Sequence, residues 1–232
     1  MRFATRAIHA GVEPDPTTGA IMTPVYFTST YVQEAPGRHK GYEYSRSDHP
    51  TRAVLERNLA QLEGVDYGLA FASGLSAENT VLNLLQVGDH VLATQDLYGG
   101  TYRLFQRVWA KFGLEFSFVS GEDLESVRRA IRPNTKLLWI ETPSNPMLNI
   151  VDLRALSELA HAHGVRVVVD NTFATPYLQR PFEHGADIVV HSTTKYLGGH
   201  SDVVGGAICV REAALYEQLK FYQNAVGAVP GP

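Results

Sequence analysis

The sequence predicts an α/β fold: a mostly parallel sheet flanked by helices, doubly wound, behind an extended N-terminal arm. Three observations carry this. From Thr51 onward, segments of helical period alternate with short apolar runs. Two of those runs, at 136–140 and 165–169, are almost continuously apolar, as strands buried on both faces must be. Residues 1–50 show neither pattern and are rich in Gly, Pro, Thr and Tyr.

The elements follow in order. A helix at 51–64 puts Val54, Leu55, Leu59 and Leu62 at helical spacing and stops at Gly64. An apolar strand at 68–72 leads to a helix at 76–86. Strand 90–94, helix 101–112, strand 115–119, helix 123–131 and strand 136–140 continue the alternation. A helix at 152–163 ends at Gly164. Strands at 165–169, 187–190 and 206–210 precede a final helix at 212–225. Residues 51–232 thus read as one large domain. Residues 1–50 read as an arm reaching toward another subunit, because so long an irregular stretch is uncommon inside a compact domain.

Composition sets the outer bounds. The chain has 232 residues, 44% hydrophobic and 19% charged, enough for a sizeable core. Twenty basic residues against 24 acidic ones leave a net charge of −4, so nothing invites nucleic acid or an acidic membrane. The single cysteine, Cys209, supports neither an internal disulfide nor a cysteine-based zinc site. No apolar stretch reaches the roughly 20 residues of a membrane span, and the first residues lack the apolar run of a signal peptide. A soluble protein of the reducing cytoplasm is expected. His161 and His163, two apart on a helix, diverge and give no metal site. The glycine pairs at 198–199 and 205–206 lack the spacing of a dinucleotide fingerprint.

In open sheets of this kind, ligands bind beyond the carboxyl ends of the strands. The unusual residues fall there: Ser73-Gly74, Glu141 to Pro146, Asp170-Asn171, and His191 to Lys195. A lysine directly after a buried strand and stripped of water loses its proton readily, which suits imine formation with a carbonyl cofactor. Taken alone, Lys195 fits the start of a surface loop better. Asp170, closing an apolar strand, requires a cation or several donors; a protonated heterocycle would serve, and so would an ordinary capping turn. Ser73, Gly74 and Leu75 precede a helix, where free N–H groups bind anions, with Ser192 and Thr194 as further donors; plain capping by Ser73 is the other reading. Tyr98 could stack on an aromatic ring and carry a proton, or be a half-buried structural tyrosine. Tyr44 and Arg46 could grip a phosphate, or form a solvated turn.

Together these residues match one family. The run Ser192-Thr193-Thr194-Lys195-Tyr196-Leu197-Gly198-Gly199-His200-Ser201-Asp202 resembles the cofactor-lysine signature of the Cys/Met-metabolism enzymes that use pyridoxal 5′-phosphate (PLP). The resemblance continues through Tyr44-Ser45-Arg46, Ser73-Gly74, Asp96 to Thr101, Glu141 to Pro146 and Val169 to Thr172, in the family's order along the whole chain. It implies the aminotransferase-like fold type I, with PLP held by Lys195 as a Schiff base. It also implies that Lys195 shuttles protons, that Asp170 pairs with the pyridine nitrogen, and that Tyr98 stacks on the ring. Gly74 and Leu75 amides, with Ser192 and Thr194, would bind the phosphate, and Asn145 would lie near the ring hydroxyl. Leu75 stands where family members often carry Met, a change a backbone contact tolerates. Tyr44 and Arg46 would reach a neighbouring subunit's phosphate in a homotetramer built from dimers. The activity implied is trans-sulfuration on O-acylhomoserine or cystathionine, of the γ-synthase or γ-lyase kind, with β-lyase and methionine γ-lyase as alternatives. Gly100, where methionine γ-lyase typically has cysteine, argues against that last member. The family's C-terminal small domain, which carries its arginine for the substrate carboxylate, is expected to lie beyond residue 232, so that this stretch alone is expected to be inactive. A catalytically silent scaffold that keeps the fold is the reading from another class.

Overall fold

The computed structural model describes residues 2–232. In chain order its elements are α1 (Phe3–His9), α2 (Pro50–Glu63), β1 (Tyr67–Phe71), α3 (Gly74–Leu82), β2 (His90–Thr94), α4 (Gly99–Arg103), β3 (Glu115–Val119), α5 (Leu124–Ala130), β4 (Thr135–Glu141), α6 (Leu153–Ala162), β5 (Arg166–Asp170), α7 (Thr175–Leu178), β6 (Ile188–Ser192), β7 (Gly206–Val210) and α8 (Ala213–Val226).

Alternation along the central strands explains the layers. In β4, Leu138 and Ile140 point to one face and Leu137 and Trp139 to the other, and all four are buried. The first face packs on α2, α5 and α6 through Leu59, Val127 and Leu156. The second packs on α3, α4's continuation and α8 through Val81, Phe105 and Leu219. Strands covered on both faces have no polar side to show, which is why the sequence runs apolar there.

The seven strands lie in the order β1-β7-β6-β5-β4-β2-β3. Pairings among β6, β5, β4, β2 and β3 are parallel, while β7 runs antiparallel to β1 and β6. β1 therefore points the same way as β6. The carboxyl ends of β1, β2, β4, β5 and β6 share one edge, where β7 begins.

Helix boundaries have local causes. His49 Nδ1 accepts the Thr51 N–H (3.2 Å), Pro50 opens α2, and Gly64 closes it at φ +81°. Three expected elements differ. The helix at 76–86 instead spans Gly74–Leu82, started by the reciprocal Ser73–Ser76 capping box. The helix at 101–112 is α only to Arg103. It widens into a π turn over Leu104–Trp109 and tightens over Ala110–Phe112 before Gly113 at φ +88°. Phe105 lies edge-on to Trp139 at 5.2 Å, and Trp109 Nε1 donates to Asn79 Oδ1 at 2.9 Å. Those tertiary contacts set the local winding. The arm is not wholly irregular: it contains α1 and isolated bridges pairing Thr30 with Tyr44 and Ala35 with Arg38.

Beneath the carboxyl edge lies a buried polar network. Glu63, the last residue of α2, accepts from His191 Nε2 (2.6 Å) and from Asn171 Nδ2 (2.9 Å). Gln179 then donates to Asn171 Oδ1 and to the Thr142 carbonyl. The ends of β4, β5 and β6 are thereby tied to one helix terminus.

Candidate active site

A cavity of about 290 Å³ opens at that edge. Eight of the ten candidate cofactor-binding residues line it, together with Ser73 and Glu141. Gly74, Leu75, Ser192 and Thr194 form one wall; Tyr98, Asn145, Asp170 and Lys195 contribute the rest.

The first wall is suited to an anion. Within the first turn of α3, the capping box uses the N–H groups of Ser73 and Ser76, and Ala77 N–H reaches the Ser73 carbonyl. The N–H groups of Gly74 and Leu75 donate to no acceptor among the described residues, as the opening of any helix requires. A Cβ on Gly74 would stand 2.9 Å from Ser192 Cβ, so only glycine lets α3 come this close to β6. The Thr194 hydroxyl is already engaged, donating to the Gly205 carbonyl (3.2 Å) and accepting the Gly205 N–H (3.0 Å). Its bond closes the loop onto β7.

The opposite side is acidic. Glu141 and Asp170 end adjacent parallel strands in matched register, so their carboxyl groups stand side by side. Glu78 joins them from α3. Burial pushes the Asp170 carboxyl above its usual range. Burial, followed by the charge of Asp170, pushes Glu141 up to about 8. Burial and the same neighbours push Glu78 well up. Asp170 Oδ1 accepts the Thr172 N–H (3.0 Å), and bonding from Thr172 works against the effect of burial. No cation of the described residues pairs with these three carboxyls, so the cavity favours a ligand that brings positive charge.

Tyr98 is held by its backbone, whose N–H donates to Glu141 Oε2 at 2.7 Å. Its ring lies over Gly100, where a Cβ would overlap it. The loops bearing Tyr98 and Asn145 are joined by Asp96, which accepts from the Ser144 hydroxyl and from Met147 N–H (3.1 Å). These bonds hold Asp96 in the left-handed region at φ +65°.

Lys195 follows β6 in a turn closed by Gly198 N–H to the Thr193 carbonyl and Gly199 N–H to the Lys195 carbonyl, both 2.8 Å. It is exposed rather than stripped of water. Lys195, Thr194, Phe173 and Val204 also border an outer depression of about 600 Å³. The amine therefore stands between an inner cavity and an open vestibule.

Tyr44 and Arg46 are not brought into the cavity. Arg46 Nη1 donates to the Asn224 carbonyl (2.7 Å) and Oδ1 (2.9 Å), with its guanidinium 5.4 Å from the Tyr44 ring centre. Glu78, Thr172, Phe173 and Val204, by contrast, line the cavity without having been singled out. Glu78 left a signal, an acid four residues after Gly74 on a helix otherwise apolar on that side. Glu141 was visible only as part of its strand-end motif.

A family model described as "Cys/Met metabolism PLP-dependent enzyme" matches residues 4–232. The chain is 58% identical over 230 residues to a protein of Herpetosiphon aurantiacus named "Probable cystathionine gamma-synthase", covering 99% of this chain and 72% of that one. It is 56% identical to the cystathionine β-lyase of Coxiella burnetii, covering 98% of this chain and 59% of that one. The crystal structure of the cystathionine γ-lyase of Lactobacillus plantarum, complexed with L-serine, superposes with a TM-score of 0.98 at 47% identity, over 100% of this chain and 61% of that one. The chain thus spans 59–72% of these relatives' length. With its sheet order, lysine-bearing turn and whole-length match, the chain belongs to the Cys/Met metabolism family of PLP-dependent enzymes.

Proposed function

We propose that this chain is the PLP-binding part of a trans-sulfuration enzyme, acting by γ-replacement or γ-elimination on O-acylhomoserine or cystathionine. One observation carries the reading. A single cavity joins an unpartnered helix N-terminus, a cation-seeking carboxyl group and a lysine amine. PLP offers a phosphate, a protonatable ring nitrogen and an aldehyde, one for each.

When bound, PLP supplies an electron sink conjugated to a substrate's α-carbon. The chain's own groups would do the rest. Gly74 and Leu75 N–H groups and the Ser192 hydroxyl would bind the phosphate, with Thr194 fixing the wall behind them. Asp170 would keep the ring nitrogen protonated. Tyr98 would cover one ring face, and Asn145 would lie at the ring hydroxyl. Lys195 would hold the aldehyde carbon through Nζ and, once displaced by a substrate amine, carry protons at that atom. The vestibule gives the substrate its approach to Lys195. Residues 1–50 would act as an arm, with Tyr44 and Arg46 serving the phosphate of a neighbouring subunit in a homotetramer, and the cytoplasm would be the compartment. No helix among the described residues is long and apolar enough to cross a membrane.

The test is spectroscopic first. Purified chain mixed with PLP should turn yellow and become covalently labelled at Lys195 after borohydride, and Lys195→Ala should abolish the label. Protein that stays colourless would overturn the cofactor assignment. A protein extended to its relatives' full length should then turn over either O-acylhomoserine with cysteine, or cystathionine. Turnover of cystathionine to homocysteine, pyruvate and ammonia, with no cysteine released, would assign the β-lyase instead.

A further inference from the structure

Tyr98 is tied to the sheet through its backbone. Its N–H donates to Glu141 Oε2 at 2.7 Å, and its carbonyl accepts the Tyr102 N–H at 3.1 Å as α4 begins. Glu141 is itself fixed. It closes β4 in register with Asp170, its own N–H donates to Thr94 Oγ1 at 3.3 Å, and it is only 7% exposed. The Tyr98 ring has no such hold: it is 42% exposed and makes no side-chain bond to the helix it opens. Gly100 leaves the space the ring occupies, since a Cβ there would overlap it. The direction of the ring therefore follows from the two peptide groups of Tyr98, one held by α4 and the other by Glu141. Leu97, buried in the core, anchors the loop just before them.

We propose that Glu141 is a positioning residue for Tyr98: from the rigid end of β4 its side chain accepts the Tyr98 N–H and so sets the ring over the face of the bound cofactor. This rests on the PLP assignment above. Glu141 and Asp170 end neighbouring strands, so the group that covers the ring and the group that meets the ring nitrogen are referred to one rigid edge. What matters in Glu141 is reach, because an acceptor at that place holds the N–H whether it is a carboxylate or an amide.

Two substitutions separate reach from charge, both made in the protein extended to its relatives' full length. Glu141→Asp keeps the charge and draws the acceptor back by one methylene. Glu141→Gln loses the charge and keeps an acceptor at the same reach. Without PLP, hydrogen exchange at the Tyr98 amide should run about tenfold faster in Glu141→Asp, the loss of one hydrogen bond to a charged acceptor, and stay within about twofold of wild type in Glu141→Gln. With PLP, affinity read from the visible chromophore should fall about two- to tenfold in Glu141→Asp, the worth of one aromatic stack, and the circular dichroism of the bound chromophore should weaken. In a Tyr98→Ala background, Glu141→Asp should cost no further affinity, because its effect passes through the ring. Unchanged amide exchange in Glu141→Asp overturns the proposal, as does equal damage from both substitutions or a full additional loss in the Tyr98→Ala background. Should Glu141→Asp not fold, the wild type decides, since a Tyr98 amide that exchanges freely there rejects the bond. A wild type that binds no PLP counts against the cofactor assignment, whereas the amide exchange reports on the Glu141–Tyr98 bond by itself.

Discussion

The carboxyl edge of the sheet and the N-terminal arm use similar residues, tyrosines, prolines and glycines, to opposite ends. At the edge, side chains from five strands meet because strand register puts them there, and most of their polar groups are held by a neighbouring element. In the arm, contacts are mostly local: Asp15 accepts from Thr17 and Thr18, and Gln33 accepts from Gly37. Large apolar groups are left in water there, with Phe27 86% and Val32 92% exposed. Of residues 2–49, only Ala10 and His49 are buried. Burying such a side chain is worth about 1.5–3 kcal/mol, so the arm contributes little to the fold as it lies. Precision at the edge comes from the core beneath it, whereas the arm's shape comes from its own turns.

The comparison breaks most visibly if the network under the edge is cut. Glu63→Leu would leave His191 Nε2 without a partner and remove an acceptor from Asn171, both in buried surroundings. Stranded polar groups of this kind cost about 3 kcal/mol together, or a fall in Tm of roughly 6–12 °C for a chain of this size. Thermal unfolding followed by circular dichroism measures it, and a loss under about 1 kcal/mol would mean that the edge is not supported from α2.

A second effect is linked to pH. Glu78, Glu141 and Asp170 all have folded values above their ordinary ones. Groups raised in this way favour folding fully below their ordinary value, and that contribution disappears as pH rises through the folded value. For Glu141 the window runs from about 4.5 to about 8. The Tm of cofactor-free chain should therefore fall across that window, and Glu141→Gln, which can still accept the Tyr98 N–H, should flatten the decline. Asp15 and Asp123 are lowered and exposed, so their opposite contributions lie at more acidic pH, and that of His90, lowered by burial from 6.5 to about 4, is complete above 6.5. A Tm that rises between about pH 6.5 and pH 8 would contradict the acidic reading of the cavity.

The smallest effect is expected in the arm. Phe27→Ser combined with Val32→Ser should change the stability of dilute chain by no more than about 0.5 kcal/mol per site. A larger loss in thermal unfolding would show that the arm packs more firmly than its exposure indicates. If the arm docks on a second copy, as proposed, the same pair should instead weaken self-association in sedimentation velocity at higher concentration.

Most of the fold was legible because its signals are periodic and local. Strands 90–94, 115–119 and 206–210 were placed with their ends correct, since short apolar runs mark strands buried on both faces, as β2 and β7 are. The winding of 104–109 was not legible, because it answers to Trp139 and Asn79, distant in the chain. The lysine turn and the Asp170 strand end stood out as chemistry at ends of apolar runs. Glu78 did not, because a single acid on a helix resembles any solvated position until the sheet packs over it. Tyr44 and Arg46 carried a motif, yet within this chain they bond to each other's neighbourhood and to Asn224 rather than to the cavity.

By itself the sequence determined the alternation of strands and helices, the family, and the residue types available for an anion, a cation and an amine. Only the tertiary structure decided that Glu141 and Asp170 stand side by side, that Glu78 faces them, and that Thr194 is spent on its own loop. Periodicity fixes which way a side chain points from its own element. Which groups share a cavity depends on strand order and register, and these are set by contacts between residues far apart in the chain.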